Sequence, residues 1–266
     1  MRLAARFAGL KVRPGTVACV WLGQAGYLFK TQRGLTVMID PYFSDEGERI
    51  EGLKRLFATP ITAEEFQPDL LLVSHGHLDH FDEPTISAFA AARRTTLFAP
   101  PSCTSRAAEL GWQTAKLHPL QPGKSATKGG VRVTATFARH TLPDAVGLFI
   151  AVDGIRLWHS GDTEYDEHLR RITSERLDAA FICINGGGGN MNAHEAALLA
   201  WRLEPRLVVP MHYGLWKPDD YRYHGAAPDA TPDPAIFAAT LAKLDKRMRV
   251  RRLHVGLPVT ISRSAT

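Results

Sequence analysis

The chain has 266 residues, 45% of them apolar and 22% charged, and a formal net charge of +5. That balance excludes a disordered or fibrous chain, and no stretch approaches the roughly 20 apolar residues needed to cross a bilayer. Three widely spaced cysteines, Cys19, Cys103 and Cys183, form no C-x-x-C pair, which argues against a disulfide framework and for a reducing compartment. The first fifteen residues make a poor signal peptide, and a cytoplasmic location is expected.

In chain order, "TVACVWLG" (16–23), "AGYLFKT" (25–31) and "GLTVMID" (34–40) read as three β-strands separated by glycine-containing turns. A long connection, 41–69, follows. "PDLLLVSHG" (68–76) is a fourth apolar strand that runs into a polar loop. "EPTISAFAAARR" (83–94) has helical spacing with a start near Asp82, and "TTLFAPPS" (95–102) is a short strand broken by proline. The second half repeats the order: "GVRVTATFARH" (130–140), "VGLFIAVD" (146–153), "GIRLWHSGD" (154–162), "LDAAFICINGG" (177–187), a helix from Asn192 through "NAHEAALLAWRL", and "PRLVVPMHYG" (205–214). Each half is β-β-β-β-α-β, and two such halves predict a four-layer αββα sandwich, an α/β fold formed as one domain over 1–266.

A second long loop, 213–233, contains Tyr213, Trp216, Tyr221, Tyr223 and His224; its length and aromatic content favour a packed, functional loop. The helix "PAIFAATLAKLDKR" and the strands "RVRRLHVG" (249–256) and "PVTISR" (258–263) close the chain. The basic run 243–252 alternates Arg249 and Arg251 with Met248 and Val250, which reads as the wet face of a strand.

The chemistry is concentrated in "HGHLDH", where His75, His77, Asp79 and His80 sit at a strand end. Ligand sites of α/β proteins gather there. Residues two apart in an extended segment face the same way, so His75 and His77 converge, with Asp79 and His80 on the bend beyond. Three imidazoles and a carboxylate suit zinc, manganese or iron. The repeat points to further ligands at other strand ends: His140, Asp162 and His212. Seven ligands exceed one tetrahedral ion and fit two divalent ions that share a carboxylate. The division expected is His75, His77 and His140 on one ion, Asp79, His80 and His212 on the other, and Asp162 between them. Zinc is the first choice of metal, with manganese and iron as alternatives.

The HxHxDH turn, the lone His140, the aspartate of "HSGDT" and the histidine of "PMHYG" resemble the metallo-β-lactamase superfamily of hydrolases along essentially the whole chain. "WLGQAGYLFKT", "IDPYFSD", "HSGDTEYDEHL", "GGGGNMNAHEAALLA" and "VVPMHYGLW" are similar, more narrowly, to the branch around L-ascorbate-6-phosphate lactonase, which borders the N-acylphosphatidylethanolamine phospholipase D type. The resemblance implies a hydrolase whose nucleophile is a water held between two cations, which agrees with the absence of a G-x-S-x-G elbow. The substrate expected is a small-molecule lactone or ester, with or without a phosphate. A phosphodiesterase acting on nucleic acid or phospholipid is the second reading, disfavoured because no basic arm or added domain is available to hold RNA or DNA. A non-catalytic metal-binding module is the third. Homo-oligomers are common among relatives of this kind.

Further roles follow from position. Asp79 is expected to orient the water and pass a proton to the leaving group. Tyr213 either donates to the oxyanion or packs in the core. Trp216, Lys217 and His194 are candidate substrate contacts, Lys217 for a phosphate or carboxylate group. Asp40, in the place that Asp162 holds in the second half, and His159, just before Asp162, are expected to support the ligands from behind. The "NGGGGN" run, 185–190, lacks a P-loop's lysine and is expected to let the backbone pass close to the metals. His118, His168 and His254 read as surface or strand residues, and His224 stays open.

Overall fold

The computed structural model of the chain describes residues 2–92, 94–217, 220 and 232–263. Its layers follow from side-chain parity along the strands. All eight residues of β1 (Thr16–Gly23) are buried, so this strand is covered on both faces. Val17, Cys19 and Trp21 enter one apolar cluster, whereas Ala18, Val20 and Leu22 enter another. β4 (Leu70–Leu72) divides in the same way, Leu70 and Leu72 to the first cluster and Leu71 to the second. A period of two thus sorts one continuous apolar run into two cores.

The first sheet has the order β13 (Val259–Ser262), β1, β2 (Gly26–Lys30), β3 (Thr36–Ile39), β4, β5 (Thr96–Ala99), β6 (Leu117–Pro119). The second has the order β12 (Val208–Met211), β11 (Ala179–Cys183), β10 (Ile155–His159), β9 (Val146–Val152), β8 (Val131–Phe137), β7 (Ser125–Lys128). The predicted repeat is visible in the pairing. β1–β2–β3 is antiparallel and β3–β4–β5 parallel; β8–β9–β10 is antiparallel and β10–β11–β12 parallel.

The inner faces meet through aromatic rings, with Tyr27 and Phe29 at 4.6 and 5.5 Å from Phe181, ring centre to ring centre. Helices cover the outer faces. α1 (Leu3–Ala8), α3 (Glu83–Ala92) and α4 (Pro101–Glu109) place Phe7, Ile86, Phe89, Cys103 and Ala107 in the cluster outside the first sheet. α5 (Ala193–Leu203) and α6 (Pro234–Leu244) bury Ala196, Leu199, Phe237 and Leu241 on the second. The αββα sandwich is the architecture the sequence predicts. α5 starts where expected: the Asn192 side chain accepts from the His194 and Glu195 amides, and Glu195 accepts from the Asn192 amide, a reciprocal cap.

Some local expectations change. Residues 249–256 form no strand; they contribute one parallel bridge, Val250 with Val208. The prolines do break β5, as expected, but a helix that was not expected follows them. Pro101 is the first residue of α4, where its missing N–H leaves no bond unmade. The connection 41–69 contains a short helix, α2 (Glu46–Glu51). Tyr221, Tyr223 and His224 lie outside the described residues.

Candidate metal centre

Strand direction assembles the site. By the pairing above, β1, β3 and β4 run in one sense within their sheet, and β8, β10, β11 and β12 in one sense within theirs. The residues just beyond their carboxyl ends are Gln24, Asp40, His75, His140, Asp162, Asn185 and His212, and they meet at one edge of the sandwich. Gln24, Asp40 and His212 all have positive φ, 46°, 43° and 64°. Non-glycine residues adopt this conformation at a cost, and it recurs at functional sites.

Past His75 the chain bends at Gly76 and His77 and then turns, the His80 and Phe81 amides both donating to the His77 carbonyl. This turn swings Asp79 and His80 back beside His75. Among the described residues, three sets have ligand atoms within 4.8 Å of one another: His75, His77 and His140; His75, His80 and Asp162; Asp79, His80 and His212. All seven residues expected to bind metal are therefore brought together. His77 Nδ1 is 3.0 Å from His75 Nε2 and 3.1 Å from His140 Nε2. His212 Nε2 is 3.2 Å from His80 Nε2, 3.2 Å from Asp79 Oδ2 and 3.3 Å from Asp162 Oδ2.

The groups behind these ligands decide which nitrogen faces inward. Asp40 is fully buried. It accepts from the Ser74 amide at 2.7 Å, the Ser74 hydroxyl at 2.6 Å and His80 Nδ1 at 2.8 Å. Because Ser74 gives its proton to Asp40, its oxygen accepts from His75 Nδ1 at 3.0 Å. His140 Nδ1 donates to the Gly189 carbonyl at 3.1 Å. His75 and His140 thus carry their protons on Nδ1 and turn the Nε2 lone pair into the cluster, and His80, whose Nδ1 proton goes to Asp40, likewise has Nε2 as its inward atom. Several lone pairs converging at such distances repel unless a cation lies among them. Asp162 Oδ1 is also buried with no hydrogen-bond partner among the described residues. The donor set fits divalent metal ions.

Charge supports the same conclusion. Burial, then His80, hold His75 well below its ordinary value, and burial, then His140, lower His77. In the other set burial opposes charge on His80 and His212, but Asp162 and Asp79 outweigh it and raise both, His212 to about 9. Burial likewise opposes ionisation of Asp79 and Asp162, yet His80 and His212 hold both carboxyls below the usual range. Protons on two imidazoles balance the carboxylates, and a metal ion can replace that positive charge.

Above the cluster lies a cavity of about 140 Å³ whose lining includes His77, Asp79, Asp162, His212, Glu51, Leu78, Asn185, Asn190 and Trp216. Trp216 is where a substrate contact was expected. Lys217 is exposed and absent from this lining. Tyr213 is also absent from it; its ring packs on Trp21 at 5.0 Å, and burial raises its phenol to about 12. Of the two expectations for Tyr213, this placement is core packing. His194 bonds Thr240 Oγ1 at 2.8 Å and so joins α5 to α6, away from the cavity. His159 is buried outside the cluster, donates to the Ala25 carbonyl at 2.9 Å and accepts from the Gly161 amide at 3.1 Å, holding the turn that leads to Asp162.

Three supporting residues were missed. Gln24 donates to Asp79 Oδ2 at 3.2 Å, and its carbonyl accepts from the His212 amide at 3.0 Å. Gln24 follows β1 as His140 follows β8, so the repeat itself was the available signal. Ser74, next to the motif, relays Asp40 to His75. Asn190 donates to Asp162 Oδ2 at 2.6 Å. The glycine run does approach the site closely: Gly189 has φ 80°, and a Cβ there would lie 3.4 Å from His140 Nδ1 and 3.1 Å from Thr141 Cγ2.

Fold and site together define the metallo-β-lactamase type of αββα sandwich, with a His/Asp metal-binding edge. Residues 19–212 match the family described as "Beta-lactamase superfamily domain", and the chain belongs to that superfamily and, within it, to the UPF0173 metal-dependent hydrolases. It is 30% identical to the UPF0173 metal-dependent hydrolase of Anaeromyxobacter sp. (strain K), over 94% of this chain and 88% of the relative. It is 29% identical to that of Methanobrevibacter smithii, over 89% and 93%. Igni18, a metallo hydrolase from Ignicoccus hospitalis, shares the fold with a TM-score of 0.72 at 23% identity, over 94% of this chain and all of the other. The protein is thus a metal-dependent hydrolase. Among the described residues no helix is long and apolar enough to cross a membrane, and Cys19, Cys103 and Cys183 are free and buried.

Proposed function

We propose that this hydrolase cleaves a small-molecule ester or lactone. The observation that carries the reading is a set of three histidines, His75, His77 and His140, beside a second set, Asp79, His80 and His212, with Asp162 close to His75, His80 and His212, under a cavity of about 140 Å³. His75, His77 and His140 would hold one divalent ion, Asp79, His80 and His212 the other, and Asp162 would be shared. When bound, such ions polarise a substrate oxygen and lower the pKa of a water toward neutrality.

The chain's own residues do the rest. Asp40, Ser74 and the Gly189 carbonyl hold three imidazoles with Nε2 turned inward. Gln24 and His212 engage Asp79 Oδ2 and His80 Nε2 lies 3.7 Å from its Oδ1; facing the cavity, Asp79 is the carboxylate that would take the proton of the attacking water and hand it to the leaving oxygen. Asn190 fixes one oxygen of Asp162. Trp216 and Leu78 form the apolar part of the wall. No lysine or arginine is present among the described lining residues, which favours an uncharged ester over a phosphorylated one. A cytoplasmic setting agrees with the three free thiols.

The test is turnover by metal-loaded protein of a panel of lactones and p-nitrophenyl esters, with bis-p-nitrophenyl phosphate alongside. Ester or lactone cleavage that chelation abolishes is expected. Cleavage of the phosphodiester alone would overturn the reading.

A further inference from the structure

The inner cavity, at about 140 Å³, is small beside the roughly 300–1,000 Å³ of ordinary small-molecule sites. It can take a reacting ester group but little more, so the remainder of a substrate needs another place. A second cavity, of about 470 Å³, is lined by residues of the same metal-ligand turn, Gly76 and Leu78, and by Phe81 just after it. Leu78 lines both, so the two are neighbours across one side chain in the middle of HGHLDH.

The outer cavity is apolar where it meets that wall. Ile50 from α2, Leu78, Phe81 and Leu142 line it, with Gly76 and Cys103 between them. Leu142 and Cys103 pack close over Gly76, their side-chain atoms 3.7 and 3.8 Å from where a Cβ would stand, which is ordinary contact distance. Ile50, at 57% exposure, offers a large aliphatic surface at the rim. The cations that line this cavity are already paired, Arg49 with Glu46, and Arg106 with Glu83 and Glu109. The rim therefore makes no demand for an ionic ligand.

We propose that the outer cavity is a substrate subsite that takes an aliphatic arm of the ester whose carbonyl sits in the inner cavity, with Leu78 as the shared wall. The inference rests on the ester reading above, and the test separates the two. Straight-chain carboxylates from acetate to octanoate are titrated into metal-loaded protein by calorimetry, and the matching p-nitrophenyl esters are assayed for kcat/KM. Burial of a methylene strengthens binding by about fourfold when complete, so a gain of about twofold or more per methylene is expected in both series. Leu142→Ser combined with Ile50→Ser should flatten both slopes, whereas Leu244→Ser, on an exposed part of α6, should leave them intact. Affinity that rises with chain length and falls in the double variant supports the subsite even when no ester is hydrolysed; in that case only the ester reading fails. Turnover with no dependence on chain length, and flat affinity, would overturn the subsite and leave the ester reading standing.

Discussion

Asp79 and Gln24 show what a single residue contributes at this site. Asp79 both faces the cavity and belongs to the second triad, so Asp79→Ala removes a proton carrier and a ligand together. We expect kcat to fall by about 10²–10⁴-fold and bound metal to drop below two ions per chain, read by elemental analysis. Among the described residues, Gln24 is neither in the lining of the inner cavity nor in the first triad. Gln24→Ala should instead loosen Asp79 and weaken metal affinity by about 10–100-fold, the range for supporting groups behind metal ligands, with full metal loading restoring most activity. Unchanged affinity in that variant would remove the positioning role.

The same residues set a pH dependence. The folded-state pKa of His212 is raised from 6.5 to about 9. In the metal-free protein its contribution to stability is fully present below about 6.5 and is lost as pH rises through about 9. His80, also raised, adds to this loss. Asp79 and Asp162, both lowered, act in the opposite sense, and their contribution is lost only as pH falls below the ordinary carboxylate range. The metal-free Tm should therefore decline between about pH 6.5 and 9, and metal should suppress the decline because a cation takes the place of the protons. Equal pH slopes with and without metal would contradict this charge balance.

Among the elements, β4 bears the most for its size. Three residues, Leu70–Leu72, divide between both cores and deliver the HGHLDH turn. Leu71 is fully buried, and Leu71→Ala should cost about 2–5 kcal/mol, measured by urea unfolding of the metal-free protein. A cost below about 0.5 kcal/mol, within the range of surface changes, would place β4 outside the stabilising core.

Element by element, legibility followed the strength of the local signal. The repeated strands and α5 were readable because period and cap agree there, Asn192 and Glu195 above all; the short edge strands β6 and β7, between the two repeats, were not. α4 was hidden by its Pro-Pro start, which reads equally as a loop. The alternation at 249–256 reflected exposed arginines along an irregular segment, not a ladder; its pairing with β12 is a single bridge at Val250, made by the Arg249 carbonyl and the Arg251 amide with Val208. At the site the histidines and aspartates announced themselves by chemical type. Gln24, Ser74 and Asn190 did not, because an amide or hydroxyl beside a strand is common and acquires meaning only from what it meets in space.

At the scale of the molecule, the inner apolar cluster draws residues from both sheets and from α5 and α6. On that continuity we infer one domain, and a metal-loaded sample should unfold in a single transition that near- and far-ultraviolet circular dichroism report alike. The sandwich exists, functionally, to bring strand ends from two half-chains to one edge, since neither half alone supplies a full ligand set: His75, His77, Asp79 and His80 come from one, His140, Asp162 and His212 from the other. The most direct test is a crystal of the metal-loaded protein measured across the absorption edge of the metal. The account predicts two anomalous peaks within the cluster, one among His75, His77 and His140, the other among Asp79, His80 and His212, with Asp162 reaching both. A single peak elsewhere, or peaks out of reach of His140, Asp162 and His212, would contradict it.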